Sequence, residues 1–243
     1  LKEHKGCWHG QIYRNHKLLF DNRRDLLHIL DFCKTHKIPT VFWNKEDPTF
    51  FESTRYDFKD TALKFDWIFT TAVECVKRYH YLGHKQVGVM MFGFSPYLFN
   101  PLGCLPKEKK AIFAGSWYGE DKQRCNSMEQ IFDTVLKQNI PLIIYDRQAT
   151  GAKDGRRYPK RYQPYVRAGV PLEELGKELK HAMYTININT VTKSETMFAR
   201  RVFELVAMNS IIISNDSKGM RKLFPDGVWY LAESFPLKDK EII

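Results

Sequence analysis

No stretch of this sequence stays apolar long enough to span a bilayer, and its first residues carry no signal-peptide core. Cysteine is scarce and scattered. Cys7, Cys33, Cys75, Cys104 and Cys125 are odd in number and far apart, which argues against a disulfide scaffold or a zinc knuckle and makes reduced, cytosolic thiols the default. The histidines form no H-E-x-x-H motif and no pair at ligand spacing from a carboxylate, so no metal and no cofactor is assigned. The glycines make neither the six-residue Rossmann fingerprint nor a Walker A loop, and nicotinamide and P-loop chemistry lose ground accordingly. C2H2 spacing, a basic G-x-x-G clamp and the aromatic ribonucleoprotein pattern are also missing, so nucleic acid is not an expected partner. The sequence starts at Leu1 with almost no strand material before its first helix, and a piece of a longer protein is expected.

What is present is an ordinary globular balance, 43% apolar and 27% charged, with a formal net charge of +10. The surplus is spread, +4 over residues 1–105 and +6 over the rest, so neither half is a basic tail. Its densest part runs from Arg147 to Arg167, where seven basic residues face one acid, Asp154. An anionic ligand is implied: a phosphate-bearing substrate, an acidic polymer or a peripheral membrane surface.

Strands and helices alternate along the chain. A helix over 21–37 with Leu26, Leu27, Ile29, Leu30 and Cys33 on one broad face is followed by strands over 39–43, 65–71 and 86–92, with a helix at 72–81. Four prolines or glycines break the pattern over 95–110. It then restarts with strands at 111–114, 141–145, 184–188, 210–214 and 228–231 and helices at 124–138, after Pro171, and at 216–223. This order predicts parallel α/β sheets in two Rossmann-like units, 1–105 and 106–243, the first of them incomplete.

The most informative segment is 189–214, in which a capping-box pair, Thr192 and Glu195, predicts a helix from about Lys193. Phe198, Val202 and Leu205 form its inward stripe, with Arg200, Arg201 and Glu204 elsewhere on its surface. One arginine suits a diphosphate and Glu204 suits two sugar hydroxyls; the plainer reading is a solvated face with an Arg200–Glu204 pair. Gly115 and Ser116 end a strand where a phosphate or sugar approaches backbone, although one glycine in such a turn is more often only a turn. Tyr145 and Arg147 flank another strand end. Asn189 lies near the predicted helix start, where backbone groups would satisfy it equally well. Lys45, Glu46 and Asp47 follow a strand, and either acid is a candidate base; Asp47-Pro48 also reads as a simple turn.

The phrases Val41–Pro48 (VFWNKEDP), Asp66–Thr71 (DWIFTT), Phe113–Ser116 (FAGS) and Phe198–Leu205 (FARRVFEL) resemble the CgeB-type, spore maturation protein-like glycosyltransferases, in order and over most of residues 38–232. That resemblance implies a GT-B architecture in which the second domain holds a nucleotide-sugar donor and the first a glycan or anionic polymer acceptor. It places Glu204 on the donor ribose and Ser194, Thr196, Arg200 and Arg201 along the donor phosphates. The acid expected seven intervening residues before Glu204 is Thr196 here, with Glu195 one further back, so the retaining acid pair is imperfect. It further implies metal-independent transfer, while the scattered thiols imply a cytoplasmic protein. Arg161 and Tyr162, with Tyr158 and Tyr165, are then candidates to contact an acceptor or phosphate. A non-catalytic nucleotide or phosphoglycan module, and an epimerase-like protein, are the alternatives.

Overall fold

In a computed structural model, the described residues are 8, 10–103, 106–151 and 155–230, without the side chain of Trp229. Cys7, Cys104, Leu105, Asp154 and the end of the strand expected to reach residue 231 lie outside them. The chain divides into two compact units, one reaching Phe92 and taking in Ser194–Met197, the other formed by Gly93–Lys193 and the residues from Phe198.

The first unit holds α1 (Arg24–Thr35), β1 (Val41–Asn44), α2 (Phe58–Ala62), β2 (Trp67–Thr70), α3 (Val73–Tyr81) and β3 (Val87–Val89). Its three strands are parallel in the order β1-β2-β3. Ile68 packs with Phe51, Ala62, Ala72, Cys75 and Tyr79 into a small core. Asp57 caps α2 by accepting from the Asp60 amide at 2.9 Å. The third strand is shorter than 86–92 because only Val87–Val89 pair with β2.

The second unit holds β4 (Glu108–Ala114), α4 (Lys122–Lys137), β5 (Leu142–Asp146), β6 (Val166–Ala168), α5 (Leu172–His181), β7 (Ala182–Asn187), α6 (Arg201–Ala207), β8 (Ile211–Ser214), α7 (Lys218–Leu223) and β9 (Val228–Tyr230). All six strands are parallel, in the order β6-β5-β4-β7-β8-β9. Apolar runs such as Ile211-Ile212-Ile213 suit strands with both faces covered. The core gathers Phe113, Met128, Ile131, Phe132, Ile144, Tyr158 and Tyr162 around β4, β5 and α4.

One element is additional to the expected order and one expectation is corrected. Between β5 and α5, Lys160–Tyr165 form a 3-10 turn and Val166–Ala168 pair with β5 as an edge strand too short to show a period. The helix predicted from Lys193 begins only at Arg201. Side chains take the amides it would have used: Ser194 Oγ accepts from Thr196 N at 3.3 Å and Met197 N at 3.0 Å, and Asn189 Oδ1 accepts from Ala199 N at 2.9 Å. Such local bonds offer the backbone an alternative to helix.

Candidate functional site

The order of the six-stranded sheet carries its own pointer. After β6 the chain returns to the opposite side of β4 to lay down β7, so strand order reverses between β4 and β7. Open α/β sheets bind ligands beyond the carboxyl ends of strands at such a switch point. The turn after β4 and the segment after β7 are the two lips of that crevice.

On the first lip most polar groups are already occupied. Ser116 Oγ donates to Asp146 Oδ1 at 2.6 Å, the Gly115 amide donates to Tyr145 O at 3.0 Å, and Tyr158 donates to Gly115 O at 2.8 Å. A Cβ at Gly115 would stand 2.6 Å from the Phe113 ring, so internal packing by itself accounts for this glycine. Tyr145 is buried, and burial raises its pKa most, with Glu178 and Arg167 also bearing on its hydroxyl. Arg147 is exposed immediately beyond β5.

On the second lip Asn189 is buried and fully engaged. Its amide donates to Asn215 Oδ1 at 2.7 Å while Asn215 Nδ2 returns a bond to Asn189 O at 2.9 Å. Asn215, which the sequence reading passed over, therefore welds the loops after β7 and β8; its signal was a polar run directly after three isoleucines.

Helix α6 presents the remaining charges. Glu204 is buried, and its Oε1 stands 3.2 Å from Nε of exposed Arg200. Arg201 differs from every other candidate: the residue is only partly covered along its length, yet its Nη1 is buried and has no hydrogen-bond partner among the described residues. Burial lowers the Arg201 pKa first of all; Glu204 opposes the shift, while Arg200 and Arg147 add to it. The structure thus brings Arg147, Arg200, Arg201 and Glu204 into one electrostatic group. A buried guanidinium with a free donor is costly unless an anion meets it.

Other candidates are placed elsewhere. Ser194 and Thr196 belong to the first unit, where Ser194 Oγ donates to Glu74 Oε2 at 2.9 Å. Thr196 Oγ1 donates to Thr71 O at 2.8 Å and accepts from the Val73 amide at 2.8 Å. Asp47 is withdrawn from solvent, accepting from Asn44 Nδ2 at 2.7 Å, Thr70 Oγ1 at 2.7 Å and Tyr79 OH at 3.1 Å. Burial pushes its carboxyl up to about 6 against the lowering effect of Thr70 and Tyr79. Both carboxylate oxygens are thus engaged within the first unit. Glu46 beside it is exposed, and Lys45 Nζ lies over the Trp43 ring at 5.5 Å. Tyr162 is a core residue with its ring against Phe132 and its hydroxyl donating to Asp133 at 2.6 Å. Arg161 pairs with Glu129 at 3.1 Å and Asp133 at 3.5 Å, tying the 3-10 turn to α4. Among the described residues no group of His, Cys, Asp or Glu has the makings of a metal site.

Residues 127–238 match the model of a family described as glycosyl transferase-like. Comparison with curated proteins finds no match. Among solved structures, the chain is similar to Anabaena HepE in complex with UDP and glucose, with TM-score 0.52 and 12% identity over 86% of this chain and 62% of HepE. It is similar to a glycosyltransferase from Rickettsia africae, with TM-score 0.51 and 13% identity over 89% of this chain and 68% of that one. An α-glucosyltransferase in complex with UDP and a 13-mer DNA gives TM-score 0.51 and 10% identity over 92% and 61%. At these identities the likeness is one of fold: α/β with parallel sheets, as in GT-B glycosyltransferases. The chain spans about three fifths of the length of HepE and of the α-glucosyltransferase.

Proposed function

We propose that this chain is part of a GT-B-type glycosyltransferase that moves a sugar from a nucleotide-sugar to a hydroxyl acceptor, with the second unit holding the donor. The observation that carries the reading is the buried, unpartnered Nη1 of Arg201 beside buried Glu204 on α6. A diphosphate oxygen meeting Arg201 would supply the missing acceptor, and Glu204 can accept from sugar hydroxyls. HepE and the α-glucosyltransferase were each solved with UDP, which supports a nucleotide in this role. Within the glycosyltransferases, the four phrases in residues 41–205 favour the CgeB-type group.

Arg201 and its neighbours would stabilise charge that grows on the departing diphosphate, a contribution that requires no metal. Of the two acids first considered, exposed Glu46 remains the candidate base. Glycans and anionic polymers remain the favoured acceptors, and the DNA bound to the α-glucosyltransferase adds nucleic acid to those a test must include. The second reading is a module that binds nucleotide without turning it over.

Titration of UDP, GDP, CDP and ADP, with turnover of the corresponding sugar nucleotides, tests the proposal. One nucleotide should bind, and Arg201→Gln should weaken it by about 10- to 100-fold, the value of one or two hydrogen bonds to a charged group. Wild-type protein that binds none of them, or an Arg201→Gln variant with unchanged affinity, rules the donor site out. Binding without turnover selects the module, and release of an epimerised sugar nucleotide selects the epimerase-like alternative.

A further inference from the structure

The three-stranded unit carries a cavity of about 500 Å3, a size common to small-molecule sites, between the loop that precedes α1 and the first turns of that helix. Phe20, Asp21 and Asn22 form one wall, and Asp25, Leu27 and His28 of α1 the other. Phe20 is 66% exposed, yet Arg14 Nη1 donates to its carbonyl at 2.6 Å, so the backbone is fixed while the ring stays in water.

The frame behind these walls is already bonded. Asn22 Nδ2 donates to Gly10 O at 2.5 Å and to Tyr13 O at 2.7 Å, and its Oδ1 accepts from the Asn15 amide at 3.0 Å. Buried Arg23 reaches both oxygens of Asp21, at 3.0 and 2.9 Å, and donates to Asp60 Oδ2 at 2.5 Å. A loop pinned in this way loses little further freedom when a ligand arrives.

Charge decides which ligand suits the cavity. Arg14, Arg23 and Arg24 are paired with Asp21, Asp60 and Asp25, so the positive surplus of the whole chain is absent from this corner. The lining itself sets two carboxylates, Asp21 and Asp25, against one guanidinium, Arg24. Bonded to Arg23, the Asp21 carboxyl is held down to about 2 and stays an acceptor. A phosphate or a polyanion would approach these carboxylates against their charge. A sugar instead offers hydroxyls for a carboxylate to accept and a C–H face that an aromatic ring can cover. We infer that this cavity binds a neutral sugar, with Phe20 beneath its apolar face and Asp21 and Asp25 accepting from its hydroxyls. The preference for a neutral sugar stands on the cavity alone. Its use as the acceptor of the transfer rests on the transferase reading above, and narrows that acceptor to an uncharged glycan in place of an anionic polymer.

The test presents the whole chain with an array of neutral, sialylated, sulfated and phosphorylated glycans, then titrates the strongest neutral ligand by calorimetry. Capture should be confined to the neutral group. Because the Phe20 ring is exposed, Phe20→Ala should keep the wild-type melting curve while binding that ligand at least about tenfold more weakly, and Phe20→Trp should retain it. Arg201→Gln should lose nucleotide and keep the glycan. No capture of any neutral glycan, a preference for the charged ones, or unchanged affinity in Phe20→Ala would each overturn the inference, whether or not a nucleotide binds. Wild type that binds a neutral glycan through Phe20 but no nucleotide would instead remove the donor reading and leave the sugar pocket in place.

Discussion

Arg201 and Asp47 are opposite answers to one problem, a charge taken out of water. Asp47 is met by three donors, so the charge is supported although burial still raises its pKa to about 6. Arg201 Nη1 is met by nothing among the described residues. The two therefore predict different things. Replacing Arg201 with Met removes a buried donor that has no hydrogen-bond partner among the described residues, so the ligand-free protein should melt at the same temperature or higher while nucleotide affinity is lost; a lower melting temperature would mean that the guanidinium is structural. For Asp47 the sign follows from linkage. A carboxyl whose folded pKa lies above its unfolded value of 3.8 holds more protons when folded, so its contribution falls as pH rises from about 4 to about 6, by up to roughly 3 kcal/mol. Denaturant melts of wild type and Asp47→Asn across that range should show this slope in the first protein only. A parallel pair of curves would assign the slope to another group.

At the scale of elements, α3 shows how capping crosses large sequence distances. Its N-cap residue is Ala72, which has no side chain to offer, and the Val73 amide is instead accepted by Thr196 Oγ1 at 2.8 Å. Thr196→Val should cost about 1 kcal/mol of stability, as loss of a cap does, and Thr196→Ser should recover most of it; denaturation midpoints for the pair read this directly. The same element explains why no helix forms over residues 193–200. Thr192 and Glu195 have capping-box spacing, but spacing registers only neighbours, and the hydroxyls that govern this stretch bond to Glu74 and Thr71, more than a hundred residues away. By contrast β7, β8 and α4 were legible, because their apolar runs or stripes are long enough to show a period. β6 was not, since three residues on a sheet edge carry no pattern.

Among the described residues, the two sheets differ in how much apolar surface they bury: the three-stranded unit has one small cluster around Ile68 and Tyr79, the six-stranded unit a much larger set. The three-stranded unit buries few large side chains, and none of the residues of α1 is buried. It should therefore be the less stable part, because buried apolar area is the main favourable term in folding. Calorimetry should resolve two unfolding transitions, with a nucleotide ligand raising the one that belongs to the six-stranded unit. A single transition that shifts as a whole would contradict this.

The sequence by itself determined the parallel α/β class, the alternation that builds two sheets and the concentration of polar residues where strands end. These depend on periods of two and 3.6 residues and on turn chemistry, which neighbours along the chain are enough to express. The tertiary structure decided which of those polar residues are spent on the protein itself. Ser116 meets Asp146, Asn189 meets Asn215, Tyr162 meets Asp133 and Asp47 meets Thr70, pairings that no local spacing reveals. Only after they are made does Arg201 stand out, because an unsatisfied buried group is defined by partners that arrive from distant strands and loops.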